Sequence, residues 1–150
     1  RRRTRIHGDL HLGQVLVTGS DVMIIDFEGE PTRPLTERRA KDLPLRDVAG
    51  LVRSFDYAAA MAERGRAAGA DTWEARADEG AAIFRSRAVD AFLEGYRSDT
   101  GADDPLLDLL VLEKAAYEVA YEAANRPDWI GVPAAGLARA AAKLLSGETE

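Results

Sequence analysis

The sequence predicts an α+β domain in which a small β cluster precedes a mostly helical body. Short β-branched runs are confined to the first 25 residues, whereas apolar residues recur at helical spacing in most segments beyond Leu45. The length of 150 residues suits one domain with its own hydrophobic core. Strands followed by helices, rather than alternating with them, indicate the α+β class.

Three short apolar runs form the predicted β cluster, namely Arg5–His7, Gln14–Val17 and Asp21–Ile25. The last two flank Thr18–Asp21, whose composition is typical of a hairpin turn. The 18 residues from Glu28 to Leu45 contain three prolines, which disfavour regular structure, so we predict a loop there. Loops of this length in a compact domain are usually functional or disordered.

Four helices are predicted after this loop. The first begins with Asp47 as its N-cap, and the second follows a capping-box sequence at Asp71–Glu74. The third begins at Asp104–Pro105, because proline suits the first position of a helix. The fourth begins at Pro133 and ends near Gly147, since glycine is typical of helix C-termini.

Composition argues against several classes of function. The net charge of −6 argues against nucleic acid as a partner, because such binding depends on clustered basic residues. No apolar run approaches the roughly 18 residues that a membrane span requires, so no membrane partner is expected. The chain has no cysteine, which excludes a disulfide scaffold, a thiolate nucleophile and a sulfur-based zinc site. A cytoplasmic location is the simplest interpretation.

Two carboxylates and an amide stand at predicted junctions of loops and strands. Asp9 lies in a glycine-containing loop, Gln14 follows five residues later, and Asp26 ends the last strand-like run. Phosphoryl transfer needs such groups, because one carboxylate accepts the proton of the attacking hydroxyl and the other oxygens hold Mg²⁺ against the triphosphate. Oxygen ligands are those that Mg²⁺ prefers.

The segment His7–Gln14 resembles the catalytic loop of the aminoglycoside-phosphotransferase-like kinases, which are distant relatives of the protein kinases. Gln14 occupies the position where asparagine is usual. Asp26–Glu28 is similar to the metal-binding Asp-Phe-Gly segment, with glutamate in place of glycine. The resemblance implies a mostly helical, kinase-like C-terminal lobe in which Asp9 is the catalytic base. It also implies that Gln14 and Asp26 bind Mg²⁺ and that ATP is the co-substrate.

Three neighbouring side chains have supporting roles in this interpretation. The resemblance implies that Asp47, at the start of the central helix, accepts hydrogen bonds from the backbone of the catalytic loop. As a plain N-cap the same residue would contribute about 0.5–2 kcal/mol, so the two roles are compatible. His7 is expected to bond its own loop backbone. His11 either faces the transferred phosphate or packs within the loop, and it is a candidate substrate-binding residue.

Four longer stretches narrow the resemblance. They are Asp26–Pro31, Pro44–Gly50, Arg53–Ala58 and Tyr121–Trp129. In combination these stretches resemble the sequences of maltokinases, including those fused behind a trehalose synthase. The resemblance implies that ATP and maltose give maltose 1-phosphate and ADP, a reaction that feeds glycogen and α-glucan synthesis. A fused or associated trehalose synthase would then be a partner.

A polar helical face could hold the sugar. Its members recur at helical spacing and are Lys114, Tyr117, Glu118, Tyr121, Glu122 and Asn125. Carboxylates accept hydrogen bonds from sugar hydroxyls, and the ring of Trp129 could pack on sugar C–H groups. We therefore expect the acceptor site beside Asp9 to contain Glu118, Glu122 and Trp129. The alternative is a solvated face with Lys114 and Glu118 as an i, i+4 pair, worth about 0.2–0.5 kcal/mol.

The resemblance covers residues 1–150 as the C-terminal lobe of a kinase, and no glycine-rich phosphate loop is present in the sequence. We expect an N-terminal lobe to lie upstream and the isolated fragment to be inactive. Two alternatives remain open. One is a kinase for another acceptor, such as glucosamine or an aminoglycoside, because a cationic amino sugar would also suit Glu118 and Glu122. The other is a non-catalytic kinase-like module that binds a partner.

Overall fold

The computed structural model describes residues 2–67, 74–100 and 104–147. Over these ranges a small β-hairpin precedes a helical body, which confirms the predicted α+β class. The elements are, in chain order, the 3₁₀ turn Leu12–Gln14, strands β1 (Val15–Thr18) and β2 (Asp21–Ile24), helices α1 (Leu35–Arg38), α2 (Leu45–Ala67), α3 (Glu74–Thr100) and α4 (Leu106–Asn125), the 3₁₀ turn Pro127–Trp129 and helix α5 (Gly131–Ser146). Within the described residues, none of the helices combines the length and hydropathy of a membrane span.

Strands β1 and β2 form the predicted hairpin. They pair antiparallel, with Val15 opposite Ile24 and Thr18 opposite Asp21. Gly19 supplies a positive φ of 62° in the connecting turn, a conformation that glycine adopts without steric cost. The hairpin is thus specified by local signals: β-branched strands on either side of a glycine-containing turn.

The first predicted strand, Arg5–His7, does not form. The β pairing near it is a single bridge, in which Thr4 and Asp42 exchange backbone hydrogen bonds of 2.9 Å. The backbone N–H of His7 donates instead to the side chain of Asp47. The prediction was wrong because a side-chain acceptor replaces the strand partner that this short apolar run would need.

The predicted loop Glu28–Leu45 contains a short helix, α1, that the sequence analysis did not anticipate. The carbonyl of Pro34 accepts hydrogen bonds from the N–H groups of Glu37 at 3.0 Å and Arg38 at 3.1 Å. Proline lacks an N–H, which is not needed at the start of a helix. Pro34 therefore starts α1, although the prolines of this segment were expected to prevent regular structure.

Two of the long helices begin earlier than predicted. Helix α2 begins at Leu45, so Asp47 lies within its first turn rather than at its N-cap. Helix α5 begins at Gly131, two residues before Pro133, because proline is tolerated in a first helical turn. Residues 71–73 of the capping box predicted at 71–74 lie outside the described residues, and α3 begins at Glu74.

Helix α2 is the central element of the helical body and packs against α3, α4 and α5. The buried apolar cluster consists of side chains from α2 and α4, namely Leu45, Val48, Ala49 and Leu110. Side chains of α3, including Phe92, Leu93 and Tyr96, pack against this cluster. Burial of apolar surface stabilises such a body by about 25 cal/mol per Å². The N-terminal half of α2 is therefore a firm support for any loop attached to it.

Candidate active site

The loop that contains Asp9 is attached to the N-terminal half of α2. The carboxylate of Asp47 accepts hydrogen bonds from the N–H of His7 at 2.7 Å and the N–H of Gly8 at 2.9 Å. Gly8 has a φ of 85°, in the left-handed region that glycine enters readily. Hydrogen bonds to a charged acceptor are worth about 1.5–3 kcal/mol. Asp47 therefore fixes the start of the loop instead of capping its own helix.

Two further contacts join the loop to α2. A Cβ atom on Gly50 would lie 2.6 Å from the carbonyl oxygen of Leu10, so only glycine permits this approach. The N–H of Leu12 donates to the hydroxyl of Ser54 at 3.1 Å, and that hydroxyl donates to the carbonyl of Leu51 at 2.7 Å. The backbone is therefore held to α2 on both sides of the candidate base.

The imidazole of His7 connects this loop to the end of β2. Its Nε2 donates to the carbonyl oxygen of Ile25 at 2.7 Å, and its Nδ1 accepts from the N–H of Asp9 at 3.3 Å. These partners assign the proton to Nε2, because a carbonyl can only accept and an N–H can only donate. The ring is 4% exposed and lies 4.8 Å from the ring of Phe27. Both nitrogens of His7 are thus engaged in local structure.

Asp9 lines a cleft of about 140 Å³ between its own loop, the segment after β2 and α4. The polar side chains of this cleft include Asp9, Glu30, Arg33, Arg46, Lys114 and Tyr117. Burial raises the pKa of the Asp9 carboxyl above its ordinary value, and the positive charge of Lys114 opposes this rise. A half-buried carboxylate facing a cleft can accept the proton of a hydroxyl bound there.

Gln14 and Asp26 meet at the open end of the hairpin. The side-chain amide of Gln14 donates to Oδ2 of Asp26 at 3.1 Å, and the N–H of Ile25 donates to the backbone carbonyl of Gln14 at 3.0 Å. Asp26 is exposed and has a positive φ of 64°. Such a conformation is uncommon outside glycine and clusters at functional sites. The hairpin therefore brings an amide and a carboxylate together after the loop that contains Asp9.

The donor set of Gln14 and Asp26 fits a magnesium ion. Mg²⁺ usually takes one or two protein carboxylates and completes its octahedron with water and phosphate oxygens. Among the residues that the structure describes, no group of three or more His, Cys, Asp or Glu side chains forms a fuller metal site. The pair therefore suits a metal that is held jointly with a phosphate-bearing ligand.

His11 is engaged within the loop. Its Nδ1 accepts the N–H of Gly13 at 3.1 Å, which caps the 3₁₀ turn that follows. A Cβ atom on Gly13 would lie 2.8 Å from the imidazole, so the glycine makes room for the ring. His11 also lies close enough to Asp9 for its charge to affect that carboxyl. The structure thus places His11 beside the base with one nitrogen already bound.

Glu118 is bound by a buried arginine of α2. Arg53, which is 3% exposed, donates from Nε to the Glu118 carboxylate at 2.9 Å and also pairs with Asp56. Burial raises the pKa of Glu118, and the ion pair with Arg53 opposes that rise. The guanidinium occupies the space that a Cβ on Gly136 would need. Arg53 thus ties α2 to α4 and α5, and Glu118 lies outside the lining of the cleft at Asp9.

Glu122 and Trp129 are likewise engaged by neighbouring side chains. Glu122 is 1% exposed and accepts hydrogen bonds from Tyr57 at 3.0 Å and from Arg126 at 2.6 and 2.9 Å. The ring of Trp129 stacks on Tyr57 with 6.3 Å between centroids, and the guanidinium of Arg64 lies 3.8 Å from its centre. The structure places both residues outside the lining of the cleft that contains the base.

Three residues that the sequence did not place beside Asp9 also line this cleft, namely Glu30, Lys114 and Tyr117. Glu30 accepts hydrogen bonds from the hydroxyls of Tyr117 and of Thr32, the latter at 2.7 Å, and pairs with Arg33 at 3.3 Å. Burial tends to raise the pKa of Glu30, but the hydrogen bonds from Tyr117 and Thr32 and the positive charges of Lys114 and Arg33 together leave the pKa lowered. The ammonium of Lys114 lies 5.2 Å from the ring centre of Tyr117. The shared helical face of Lys114 and Tyr117 was a visible signal, but nothing in the sequence linked it to Glu30.

Comparisons with known proteins identify relatives of this chain. No protein-family profile matches it. The chain is 36% identical over 142 residues to a glucosamine kinase of Mycolicibacterium smegmatis, covering 87% of the chain and 33% of that protein. It is 30% identical over 135 residues to a glucosamine kinase of Streptacidiphilus jiangxiensis, covering 85% of the chain and 29% of that protein. The chain thus spans about a third of the length of these relatives.

Solved structures of a glucosamine kinase share this fold. One, in complex with glucosamine, ADP and inorganic phosphate, matches with a TM-score of 0.75 and 27% identity over 89% of this chain and 32% of that structure. A second crystal form of glucosamine kinase matches with the same TM-score and identity. The chain therefore has a kinase-like fold. These relatives support the kinase-like superfamily but not the narrower resemblance to maltokinases.

Proposed function

We propose that this chain is the catalytic part of an ATP-dependent kinase that phosphorylates a small sugar, with glucosamine as the acceptor. The geometry around Asp9 carries the proposal. The base lies on a loop that Asp47 fixes to α2 and lines a cleft, and Gln14 and Asp26 are joined to each other on the hairpin that follows this loop. The two glucosamine kinases that match most of the chain support the choice of acceptor.

Glucosamine takes the place of maltose in this proposal. Maltose, glycogen synthesis and a trehalose synthase partner were expected from a resemblance in which four stretches were the most particular, whereas the curated relatives that match 87% and 85% of the chain are glucosamine kinases. We place the acceptor in the cleft because the candidate base Asp9 and the acidic Glu30 both line it. Glu118, Glu122 and Trp129 then stabilise the helical body that carries this cleft.

Asp9 acts as the general base in the proposed reaction. Its carboxylate takes the proton of the acceptor hydroxyl while the hydroxyl oxygen bonds to the γ-phosphorus and the bond to the leaving ADP breaks. Burial, which raises the pKa of Asp9, makes it a stronger proton acceptor than an exposed aspartate. Gln14 and Asp26 would hold Mg²⁺, which neutralises charge on the triphosphate.

Part of the nucleotide site is proposed to lie outside this chain. The sequence contains no glycine-rich phosphate loop, and the chain spans about a third of its relatives. An N-terminal lobe with a lysine for the α- and β-phosphates would complete the site. In that arrangement residues 1–150 serve as the C-terminal lobe, and the isolated chain should turn over little or no ATP.

An acceptor panel on the complete protein tests the proposal. Glucosamine, maltose, glucose and an aminoglycoside are each assayed with ATP and Mg²⁺, and we expect the highest kcat/KM for glucosamine. Asp9→Asn should lower kcat by about 10²–10⁴-fold with little change in KM. The matched control is Asp90→Asn on the exposed side of α3, which should leave kcat unchanged.

The outcomes separate the competing interpretations. A preference for maltose would return the acceptor to the maltokinase interpretation and leave the role of Asp9 intact. Failure to phosphorylate any acceptor, with ATP still bound, would favour a non-catalytic kinase-like module. Normal turnover by Asp9→Asn would contradict the assignment of the base.

A further inference from the structure

Lys114 is a cation of the cleft without a carboxylate partner among the described residues. Three arginines line the same cleft: Arg33 pairs with Glu30 at 3.3 Å, Arg46 pairs with Asp42 at 2.9 Å, and Arg38 donates to the backbone carbonyl of Glu28 at 3.3 Å. For Lys114 the structure records instead a cation–π contact with a neighbouring ring. Its positive charge is therefore not neutralised by an adjacent ion pair within the described part of the cleft.

The packing of α4 explains why Lys114 lacks the usual helical partner. Glu118, one turn further along α4, would be its i, i+4 partner. The buried Arg53 binds that carboxylate, so it is turned into the helical body. The ammonium of Lys114 lies 5.2 Å from the ring centre of Tyr117, within the range of a favourable cation–π contact. The ring therefore holds the ammonium on the cleft side of α4.

Charged and titratable groups approach Asp9 from each element around it. They are His7 and His11 on its own loop, Glu30 and Arg33 after β2, Glu37 and Arg38 on α1, Asp42 after α1, Arg46 and Asp47 on α2, and Glu113 and Lys114 on α4. Burial and the negative charge of Glu30 raise the pKa of the Asp9 carboxyl, and Lys114 exerts the largest opposing effect. A neighbouring carboxylate disfavours the ionised form of a carboxyl group, and a nearby cation favours it.

We propose that Lys114 is a positioning residue for Asp9: its ammonium, held against the ring of Tyr117, balances the charge of the Asp9 carboxylate and keeps it ionised in the cleft. This inference deepens the proposed function and rests on it, because the charge of Asp9 matters to catalysis only if Asp9 is the base. Lys114 then acts in the reaction through the charge of Asp9 and not as the base itself. A neutral side chain at this position would leave Asp9 protonated over a wider range of pH.

Carbon NMR of the Asp9 carboxyl in the complete protein tests the proposal without requiring kinase activity. The signal is assigned with Asp9→Asn, and its titration is followed in the variants. We expect the midpoint to rise in Lys114→Met and in a second neutral variant, Lys114→Gln. It should stay near the wild-type value in Lys114→Arg, which keeps the charge.

Lys143→Met is the matched control, because Lys143 pairs with Asp108 at 3.0 Å and does not line the cleft. This substitution should leave the titration of Asp9 unchanged. An unshifted midpoint in both neutral Lys114 variants would overturn the proposal. A shift of the same size in Lys143→Met would also overturn it, since the effect would then not depend on the position of the charge.

The pH profile of kcat shows whether this charge balance serves the reaction. In Lys114→Met we expect the acid limb to move to higher pH with the KM for ATP unchanged, and Lys114→Arg should restore the wild-type profile. A shifted Asp9 midpoint in a protein that phosphorylates no acceptor would contradict the proposed function and support the charge balance. Normal glucosamine phosphorylation with an unshifted midpoint would support the function and refute the role of Lys114.

Discussion

A Cβ atom on Gly50 would lie 2.6 Å from the carbonyl oxygen of Leu10, so α2 and the loop that contains Asp9 meet backbone to backbone. A side chain at position 50 would have to displace either α2 or the loop, because close-packed interiors transmit such displacements. We expect Gly50→Ala to lower the free energy of unfolding by about 1–3 kcal/mol. It should also lower kcat more than it changes the KM for the sugar, because the loop that carries the base is displaced.

Gly65→Ala is the matched control for this change. Gly65 lies on the same helix, and no atom lies within 4 Å of a Cβ placed there. Alanine should therefore stabilise the helix at this position by up to about 1 kcal/mol. Urea unfolding and steady-state kinetics measure both variants, and normal kcat in Gly50→Ala would show that the loop is not held by this contact.

The two hydrogen bonds of the Asp47 carboxylate predict a linked loss of stability and activity. Asp47→Asn keeps one acceptor oxygen but turns an N–H donor toward a backbone N–H, so one charge-assisted bond is lost. We expect the free energy of unfolding to fall by about 1.5–3 kcal/mol and kcat to fall with it. Asp108→Asn is the control, because the exposed pair of Asp108 with Lys143 is worth at most about 1 kcal/mol. Equal losses in the two variants would contradict the anchoring role of Asp47.

The ion pair between Arg53 and Glu118 predicts a structural role for both residues. Arg53→Met would leave the Glu118 carboxylate in the protein interior without its partner, which typically costs about 3–5 kcal/mol. Denaturant unfolding measures this loss. Glu118→Gln should likewise lower stability while leaving the KM for glucosamine nearly unchanged. A raised KM without a loss of stability would instead support direct binding of the sugar by Glu118.

Asp9 should destabilise the fold that it serves. Burial raises the pKa of the Asp9 carboxyl in the folded protein above its value in the unfolded chain. Protonated Asp9 therefore favours folding at a pH below the unfolded pKa. This stabilisation is lost as the pH rises through the folded pKa. Asp9→Asn should therefore be more stable than the wild type at neutral pH, and the difference should vanish in acid. Unfolding measured over a pH series checks this sign. A less stable variant at neutral pH would reveal a favourable partner of the carboxylate.

Local signals in the sequence were sufficient to predict the hairpin and the meeting of Gln14 and Asp26. β-Branched runs on either side of a turn specify an antiparallel pair, in which Val15 stands opposite Ile24. Gln14 precedes the first of these residues and Asp26 follows the second, so pairing of the strands brings the two side chains within 3.1 Å. The fold class followed from the same kind of short-range pattern.

Contacts between distant segments could not be predicted in this way. Helical spacing shows which side chains of α4 share a face, but not which neighbouring helix covers that face. Arg53 lies 65 residues from Glu118, and Glu30 lies 87 residues from Tyr117. These pairs depend on how α2 and the segment after β2 pack against α4. Glu118 is therefore bound by Arg53, although its helical spacing on α4 was compatible with a sugar site.

The imidazole of His7 sets a distance inside the site. Asp9 is attached to α2 through the hydrogen bonds of Asp47, whereas Gln14 and Asp26 belong to the hairpin. The His7 ring bridges these two bodies, with one nitrogen on the loop and the other on the end of β2. A rigid five-membered ring of fixed width thus acts as a spacer between the base and the candidate metal ligands. Replacing His7 would leave Asp9, Gln14 and Asp26 chemically intact, but the distance between Asp9 and the other two side chains would no longer be fixed.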